Sequence, residues 1–147
     1  MDTKQITEGA TLYFPVFQEG ALFATGDFHA AMGDGEVSGT GIEVPGEVTV
    51  TFEVIKETPI HHPLLETDEG ISFLVSAETL DEATTTAVRE MIDFLHPQIG
   101  LSMSHLTMLM SAVGQTETSQ IVDPLITARF FVPKYVLDAY DIQLFKS

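Results

Sequence analysis

Residues 70–95 read GISFLVSAETLDEATTTAVREMIDFL, and this stretch decides the fold because its apolar pattern changes period part-way along. The first seven residues are a short apolar run of the kind that forms a buried strand. From Leu80 to Leu95 the apolar residues recur at helical spacing instead. Thr79 and Glu82 lie three residues apart at the start of that pattern, as in a helix capping box. The stretch therefore predicts a buried strand that is followed directly by an amphipathic helix.

C-terminal to this stretch, the sequence predicts further helices and strands from the same two periodicities. The predicted elements are the end of the first helix at Pro97 and Gly100, a second helix between Ser102 and Gly114, two strands within 120–132 separated at Asp123-Pro124, and a short helix near 135–140. The second helix follows the first with almost no linker, so the two helices are consecutive in the chain.

On the N-terminal side, the sequence predicts a run of strands. The predicted segments are strands over 11–17, 21–25 and 47–56 and a loop over 58–69. Residues 47–56 show the clearest alternation in the chain, with Val48, Val50, Phe52 and Val54 on one face. This pattern predicts a half-buried antiparallel strand.

The order of the predicted elements is strands, then two helices, then strands. Such runs, as opposed to regular alternation, are typical of the α+β class. We therefore predict an α+β fold with a mainly antiparallel, sandwich-like sheet and two consecutive α-helices inserted in the C-terminal half. The 147 residues are enough for one domain of ordinary size. We predict a single domain over 1–147 that is β-rich over 1–76 and α+β over 77–147.

The chain is strongly acidic, with 22 Asp and Glu against 6 Lys and Arg and a formal net charge of −16. Such a surface repels nucleic acid phosphates and anionic membranes, so neither is expected as a partner. Neutral or cationic substrates and divalent cations fit better, although acidity that serves only solubility is an equal alternative. The absence of cysteine excludes thiolate zinc sites and a cysteine nucleophile. No signal peptide or membrane span is visible, so a cytoplasmic location is expected.

Residues 26–43 read GDFHAAMGDGEVSGTGIE and hold the densest set of chemically active side chains in the chain. Asp27, His29, Asp34 and Glu36 supply carboxylates and an imidazole, the groups that hold metals and move protons. Glycines are interspersed among them and allow the backbone to approach a ligand closely. The segment therefore predicts an active-site loop.

The spacing within this segment leaves alternatives open. Asp27 and His29 would share one face of a strand and could bind one metal ion, or the carboxylate could orient the imidazole. A polar pair at the exit of a strand is the simpler alternative. Of Asp34 and Glu36, one could be a ligand and the other a general base whose pKa is raised by burial, although Asp-Gly is also a common hairpin turn. Glu43 either holds His29 or a loop amide, or is merely polar at the start of a strand.

The 26–43 segment closely resembles the signature of the acetamidase/formamidase family, Gly-Asp-x-His-Ala-x-x-Gly-Asp-Gly-Glu-x-x-Gly-Thr-x-Ile-Glu. Other segments resemble the same family. They are Leu-Tyr-x-Pro-Val at 12–16, Gly-Ala-Leu-Phe at 20–23, the run from Met108 to Gly114, and Ser-Gln-Ile-Val-Asp-Pro at 119–124. The resemblance covers almost the whole chain, and a signature of this length is specific.

The resemblance implies hydrolysis of formamide or acetamide to ammonia and a carboxylate, with a divalent metal, zinc or calcium, at the site. The residues of this chain that match the motif would then fall into three groups. They are Asp2, Asp27, His29 and Asp34 as metal ligands, Glu36, His29 and Asp34 as catalytic residues, and Gly33 and Gly35 as substrate-binding residues. A homo-oligomer is also expected.

Two departures from the family pattern matter. Gln115 follows Gly114 where the family often has Gly-Asp, and this chain resembles only the C-terminal half of a typical member. A natural short version, a separately encoded half and a fragment all agree with that length. The second hypothesis is therefore a half-length, non-catalytic subunit whose site is completed by an N-terminal-half partner chain. A third, a calcium-stabilised binding module, has no EF-hand spacing to support it.

Overall fold

The computed structural model describes residues 1–56 and 60–145. In chain order the elements are β1 (Thr11–Tyr13), β2 (Leu64–Thr67), β3 (Gly70–Ala77), α1 (Leu80–Ile99), α2 (Met103–Val113), β4 (Gln115–Gln120), β5 (Ile126–Pro133) and α3 (Lys134–Ala139). The five strands form one antiparallel sheet in the order β1-β2-β3-β5-β4. β3 and β5 therefore lie inside the sheet, and β1 and β4 form its edges.

The helices cover one face of the sheet and form the hydrophobic core with it. Side chains alternate along a strand, so Ile71 and Phe73 of β3 share a face with Val132 and Phe130, their partners on β5. All four are buried, and Met91 of α1 belongs to the same cluster. Burial of side chains of this size contributes roughly 1.5–3 kcal/mol each. This layer holds the scaffold of the molecule together.

The opposite face of the sheet carries buried polar groups. Arg129 alternates with the core residues of β5 and is only 1% exposed. The hydroxyl groups of Ser76 and Thr127, which are partners across β3 and β5, hydrogen-bond at 2.8 Å. At the β4 edge, the Thr3 hydroxyl donates to the Ser119 hydroxyl oxygen at 3.0 Å. The N-terminal residues are therefore attached to this edge of the sheet by polar contacts.

The Thr79 cap predicted for α1 is confirmed, because the Thr79 hydroxyl oxygen accepts a hydrogen bond from the Glu82 amide at 3.2 Å. The return bond from the Glu82 side chain to the Thr79 amide, which would complete the predicted capping box, is not found among the described residues. Gly100 ends the helix as predicted, with a φ of 68° in the left-handed region. The prediction that Pro97 also ends the helix is wrong, since Pro97 lies inside the last turn. The missing proline N–H removes one backbone hydrogen bond, and only two helical residues follow Pro97, so little of the helix depends on it.

The predicted α+β class with a mainly antiparallel sheet is confirmed, as are the two consecutive helices and the short C-terminal helix. Within the described residues the strands form a single sheet, and helices take the place that a second sheet would have in a sandwich. Of the two strands predicted within 120–132, the second is confirmed as β5, whereas the first is wrong except at Gln120, because β4 ends at the residue where that strand was predicted to begin. None of the helices in the described ranges has the length and apolar character needed to span a membrane.

The predicted loop over 58–69 is wrong in its last part, where Leu64–Thr67 form β2. This strand pairs with β3 across a tight turn that joins Thr67 to Gly70. Leu64 and Leu65 point to opposite faces and are both almost completely buried, which explains why so short a segment pairs stably. Residues 58 and 59, the start of the predicted loop, and the preceding residue 57 lie outside the described residues.

The predicted N-terminal strands are largely wrong. The strand over 11–17 is confirmed only for Thr11–Tyr13, and neither 21–25 nor 47–56 forms a strand. Ala21 and Leu22 have φ values of 57° and 53°, which a strand does not allow. No backbone hydrogen bond joins residues 47–56 to another described residue. A strand requires a partner, and this alternating segment has none among those residues.

Candidate functional site

Residues 28–31 and 42–44 of the signature segment run antiparallel and bring His29 directly opposite Glu43. Three backbone hydrogen bonds hold them, from Ala30 N–H to Ile42 C=O (2.8 Å), Ile42 N–H to Ala31 C=O (2.9 Å) and Val44 N–H to Phe28 C=O (3.0 Å). Partners across such a pair have neighbouring side chains. The local fold therefore places an imidazole and a carboxylate side by side.

The His29 side chain is 10% exposed, and its Nε2 atom faces three carboxylates. Nε2 lies 2.6 Å from Oε1 of Glu43, 3.2 Å from Oδ1 of Asp27 and 3.9 Å from Oε1 of Glu36. Despite these short distances, Nε2 has no partner within the described residues that meets the geometry of a hydrogen bond. A buried nitrogen surrounded in this way has the surroundings of a cation ligand.

The donor set around His29 fits a divalent cation. Three side chains each offer one ligand atom, and these atoms lie within 4.8 Å of one another: Asp27, His29 and Glu43. Imidazole nitrogen with carboxylate oxygen is a donor set that zinc accepts, whereas calcium takes oxygen ligands. Burial lowers the pKa of His29, but the neighbouring Glu43 and Asp27 carboxylates outweigh this effect and raise the pKa above its ordinary value. The potential at this point is therefore strongly negative and favours a bound positive charge.

Gly41 makes room for the imidazole ring. A Cβ atom at this position would lie 2.7 Å from both Cγ and Nδ1 of His29, and 3.0 Å from the carbonyl oxygen of Ala31. Distances below 3.0 Å are essentially never adopted by real Cβ atoms. The ring of His29 therefore packs on the Gly41 backbone, and any larger residue would displace it.

Glu36 is the buried carboxylate of the group, with 8% of the residue exposed. Burial raises its pKa above the ordinary value, and the negative charge of Asp2 adds to that effect. Its φ is 44°, in the left-handed region, which costs a residue other than glycine roughly 1–2 kcal/mol. The turn is held by hydrogen bonds from the Glu36 amide to the Gly33 carbonyl (3.2 Å) and from the Gly39 amide to the Glu36 carbonyl (2.8 Å).

Asp2 reaches the same cluster through Asp27. The neighbouring carboxyl group of Asp2 is the main cause that raises the pKa of Asp27. Burial raises the pKa of Asp2, but the neighbouring Asp27 carboxyl group and the terminal ammonium outweigh this effect, so that the pKa of Asp2 is lowered. Asp2 therefore lies beside the cluster, and its role as a direct metal ligand stays a prediction.

The contacts of Asp34 separate it from this cluster. Its carboxylate accepts hydrogen bonds from Lys4 at 3.0 Å and from the buried Arg129 at 2.9 Å. Burial raises the pKa of Asp34, but these two cations outweigh it and hold the pKa below the ordinary value. A carboxylate paired with two cations is a weak base and has few free lone pairs. Its predicted roles as ligand and catalytic residue gain no support from these contacts, which fit an anchor for the loop.

An open cleft of about 500 Å³ lies beside Glu36 and is lined by residues 31–34, 36–38 and 40–42. Gly33 is part of this lining, as its predicted substrate-binding role requires. The backbone of Gly35 is used differently, because its amide donates to the Ser119 carbonyl (2.9 Å) and its carbonyl accepts from the Ile121 amide (3.1 Å). Gly35 therefore ties the loop to the chain at the end of β4, and substrate binding by it stays a prediction.

Three residues matter more than the sequence patterns indicated. Glu43 is the carboxylate nearest to Nε2 of His29, although the sequence left its role open. Gly41 was only one of several glycines in the segment. Arg129 is the one charged residue in the mainly apolar strand β5, and that isolation was the available signal that a carboxylate faces it.

Comparison with known proteins agrees with the signature. A sequence model described as the acetamidase/formamidase family matches residues 1–139 of this chain. The chain belongs to the acetamidase/formamidase family. The resemblance predicted from the 26–43 segment is therefore confirmed, and it extends through both the scaffold and the site.

Solved acetamidase/formamidase structures share the fold. A recombinant predicted acetamidase/formamidase from the thermophile Thermoanaerobacter tengcongensis is 46% identical with a TM-score of 0.94, over 98% of this chain and 48% of that chain. An acetamidase from Bacillus halodurans is 45% identical with a TM-score of 0.91, over 95% and 47%. An acetamidase from Mycolicibacterium smegmatis is 41% identical over 56 residues, 37% of this chain and 14% of that protein. This chain therefore spans about half the length of these solved relatives.

Proposed function

We propose that this acetamidase/formamidase family member hydrolyses short linear amides, such as formamide or acetamide, to ammonia and a carboxylate. The observation that carries the proposal is the convergence of Asp27, His29 and Glu43 on one point beside the buried carboxylate of Glu36. The names of relatives, an acetamidase and a formamidase, support this class of substrate.

Asp27, His29 and Glu43 are the residues that would hold a divalent cation. We favour zinc over calcium because one donor is an imidazole nitrogen. When bound, such an ion polarises an amide carbonyl and lowers the pKa of a water molecule. Asp2 acts on this group through Asp27, whose pKa it raises.

Glu36 is the proposed general base. Burial raises its pKa, which makes it a better proton acceptor than an exposed glutamate. As a water oxygen bonds to the amide carbon, Glu36 accepts the water proton. It then returns this proton to the nitrogen as the C–N bond breaks, so that ammonia and a carboxylic acid leave and the acid ionises.

The cleft suits a small neutral substrate. Its lining includes the backbone of Gly33 and Gly41, which leaves space for a formyl or acetyl group close to Glu36. The surrounding carboxylates repel anions, so a neutral amide enters more readily than the carboxylate product rebinds. The non-catalytic subunit is the less favoured alternative, because the proposed base and all proposed ligands lie within this one chain.

The proposal is tested by measuring ammonia release from formamide, acetamide and propionamide, together with the zinc content of the purified protein. We expect Glu36→Gln to lower kcat by about 10²–10⁴-fold while it retains zinc, because only proton transfer is lost. We expect His29→Ala to lose both zinc and activity. Chelation of the wild-type protein should abolish activity, and added zinc should restore it.

Two matched variants serve as controls. Glu69→Gln changes an exposed glutamate in the β2–β3 turn, and His105→Ala changes an exposed histidine in α2. Both should keep the wild-type zinc content and rate. Near-wild-type activity in Glu36→Gln or His29→Ala would defeat the assignment, as would the absence of ammonia release from all three amides.

A further inference from the structure

The end of β4 contains a β-bulge beside the site loop. Thr118 of β4 pairs with Ala128 of β5, but two residues later Gln120 pairs with Thr127, the immediate neighbour of Ala128. Ser119 is therefore an extra residue in β4, and such a bulge bends a strand and redirects its side chains. Side chains normally alternate along a strand, yet the consecutive residues Ser119 and Gln120 are only 0% and 1% exposed. The bulge thus places the Gln120 side chain in the interior.

The buried amide of Gln120 uses all of its hydrogen-bonding capacity. Its Nε2 donates to the Leu125 carbonyl oxygen at 2.7 Å and to the Thr127 hydroxyl oxygen at 3.1 Å. Its Oε1 accepts from the backbone amides of Val122 at 2.9 Å and Asp123 at 3.0 Å. A primary amide has two N–H donors and two acceptor lone pairs, so these four bonds satisfy it completely. This one side chain therefore fixes the path of residues 121–125, which join β4 to β5.

The backbone on either side of Gln120 holds the residue that precedes the proposed base. The Ser119 carbonyl oxygen accepts from the Gly35 amide at 2.9 Å, and the Ile121 amide donates to the Gly35 carbonyl oxygen at 3.1 Å. These two bonds form a parallel bridge between Gly35 and Gln120. Glu36 follows directly, and its φ of 44° persists only where the surrounding contacts hold it. The direction of the Ile121 amide depends on the path that the Gln120 side chain fixes.

We propose that Gln120 is a positioning residue for amide hydrolysis, which fixes the 121–125 connection, through it the two hydrogen bonds to Gly35, and so the direction of the Glu36 carboxylate. The inference rests on the proposed role of Glu36 as general base. Gln120 acts through the backbone of Gly35, at a distance from the reacting atoms. A displacement of about 1 Å at a reacting group costs about a hundredfold in rate, so contacts remote from the chemistry are sufficient to control it.

The first test is a double-mutant cycle between Gln120 and Glu36. Gln120→Met keeps the length of the side chain but removes its four hydrogen bonds. We expect it to lower kcat for ammonia release from acetamide by about tenfold to a hundredfold with little change in KM. In the Glu36→Gln background it should cause no further loss, because the base that it positions is already absent. A role in stability alone would lower the rate by the same factor in both backgrounds.

The second test does not depend on activity. In Gln120→Met, the backbone amides of Gly35 and Ile121 should exchange with solvent at least about tenfold faster than in the wild type, as measured by NMR. Exchange at Phe73, in the centre of the sheet, should not change. If the wild type released no ammonia, the proposed function would fail, whereas this measurement would still decide whether Gln120 holds Gly35.

Two further variants complete the design. Gln98→Met is the matched control, because Gln98 donates one side-chain hydrogen bond to the Phe94 carbonyl oxygen (3.0 Å) within α1; both kcat and exchange should match the wild type. Thr127→Val keeps the shape of the side chain and removes one of the four bonds, so its kcat should lie between those of the wild type and Gln120→Met. It replaces Gln120→Met in both tests if that variant does not fold. Unchanged exchange at Gly35, wild-type kcat, or an equal rate loss in both backgrounds of the cycle would each overturn the proposal.

Discussion

Residues 60–145 and residues 14–56 differ in how their apolar side chains are covered. Every buried hydrophobic residue found among the described residues lies between Ile60 and Ile142. Residues 14–56 contain the alternating segment, the exposed aromatic residues and the candidate site, yet they have no strand or helix of their own. One region is a packed scaffold, and the other is a largely exposed segment that carries the candidate site.

The difference shows that the open region is held in place by a few polar links. Arg129 joins the two regions, because its guanidinium donates to Glu117 on β4 at 2.6 Å and to Asp34 of the site loop at 2.9 Å. Gly35 adds two backbone hydrogen bonds to the chain at the end of β4. The site therefore depends on the scaffold through hydrogen bonds and ion pairs, which require defined geometry to be stable.

The largest contrast is expected from matched phenylalanine truncations in the two regions. Phe73→Ala should lower the free energy of unfolding by about 3–5 kcal/mol, because it leaves a cavity in the core. Phe52→Ala should change it by less than about 0.5 kcal/mol, since Phe52 is mostly exposed. Urea unfolding followed by circular dichroism measures both. Similar losses for the two variants would mean that residues 47–56 are packed in solution and would break the comparison.

A smaller effect is expected from cutting the link between the regions. Arg129→Met should lower the free energy of unfolding by about 1–3 kcal/mol, because Asp34, Glu117 and the Thr118 carbonyl lose their donor while the two carboxylates, 41% and 35% exposed, stay partly solvated. Arg89→Met, at an exposed position on α1, is the matched control and should stay within about 0.5 kcal/mol of the wild type. Equal effects of the two substitutions would show that the Arg129 network adds nothing beyond a surface charge.

The pH dependence of stability should also differ between the wild type and Arg129→Met. The folded pKa of Asp34 is lowered by Lys4 and Arg129, against the effect of burial. Its contribution to stability is therefore present above the ordinary aspartate pKa of about 4 and is lost as the pH falls through the lowered value. In Arg129→Met, the free energy of unfolding should therefore fall less steeply as the pH is lowered. An unchanged slope between the wild type and the variant would contradict the assigned ion pair.

The smallest expected effect tests the packing inside the open region. Gly41→Ala should weaken zinc binding by about tenfold to a hundredfold, because the new Cβ displaces the ring of His29 from its carboxylate partners. Competition with a chelating dye measures the affinity without reference to activity. Gly26→Ala is the control, since a Cβ there meets no atom within 4 Å. Wild-type affinity in Gly41→Ala would show that His29 is not held by this contact.

Much of the scaffold was predictable from local patterns. The helical period after Leu80, the Thr79 cap and the left-handed Gly100 act within a few residues of each other, so they can be recognised in the sequence. The strand at 70–77 was predictable for the same reason. β2 was missed because its two leucines are buried by strands and helices from elsewhere, and no local pattern marks that burial.

The sequence indicated which segment holds the candidate site, but not how its side chains are arranged. The signature placed Asp27, His29 and Glu36 in one segment, and the structure brings their side chains together. The signature could not show that Glu43 is nearest to His29, because this depends on how residues 28–31 and 42–44 are paired. The signature also could not show that Asp34 contacts Arg129, which is 95 residues away in the chain.

By itself, the sequence determined the α+β class, the two consecutive helices and the family signature, because periodicity, capping and motif spacing are properties of neighbouring residues. Only the tertiary structure decided which carboxylates face the imidazole of His29 and which one is taken up by Arg129. It also decided that the most regular alternating segment, residues 47–56, remains without a strand partner among the described residues. Strand pairing and ion pairing join distant parts of the chain, so their outcome depends on which groups the whole fold brings within reach.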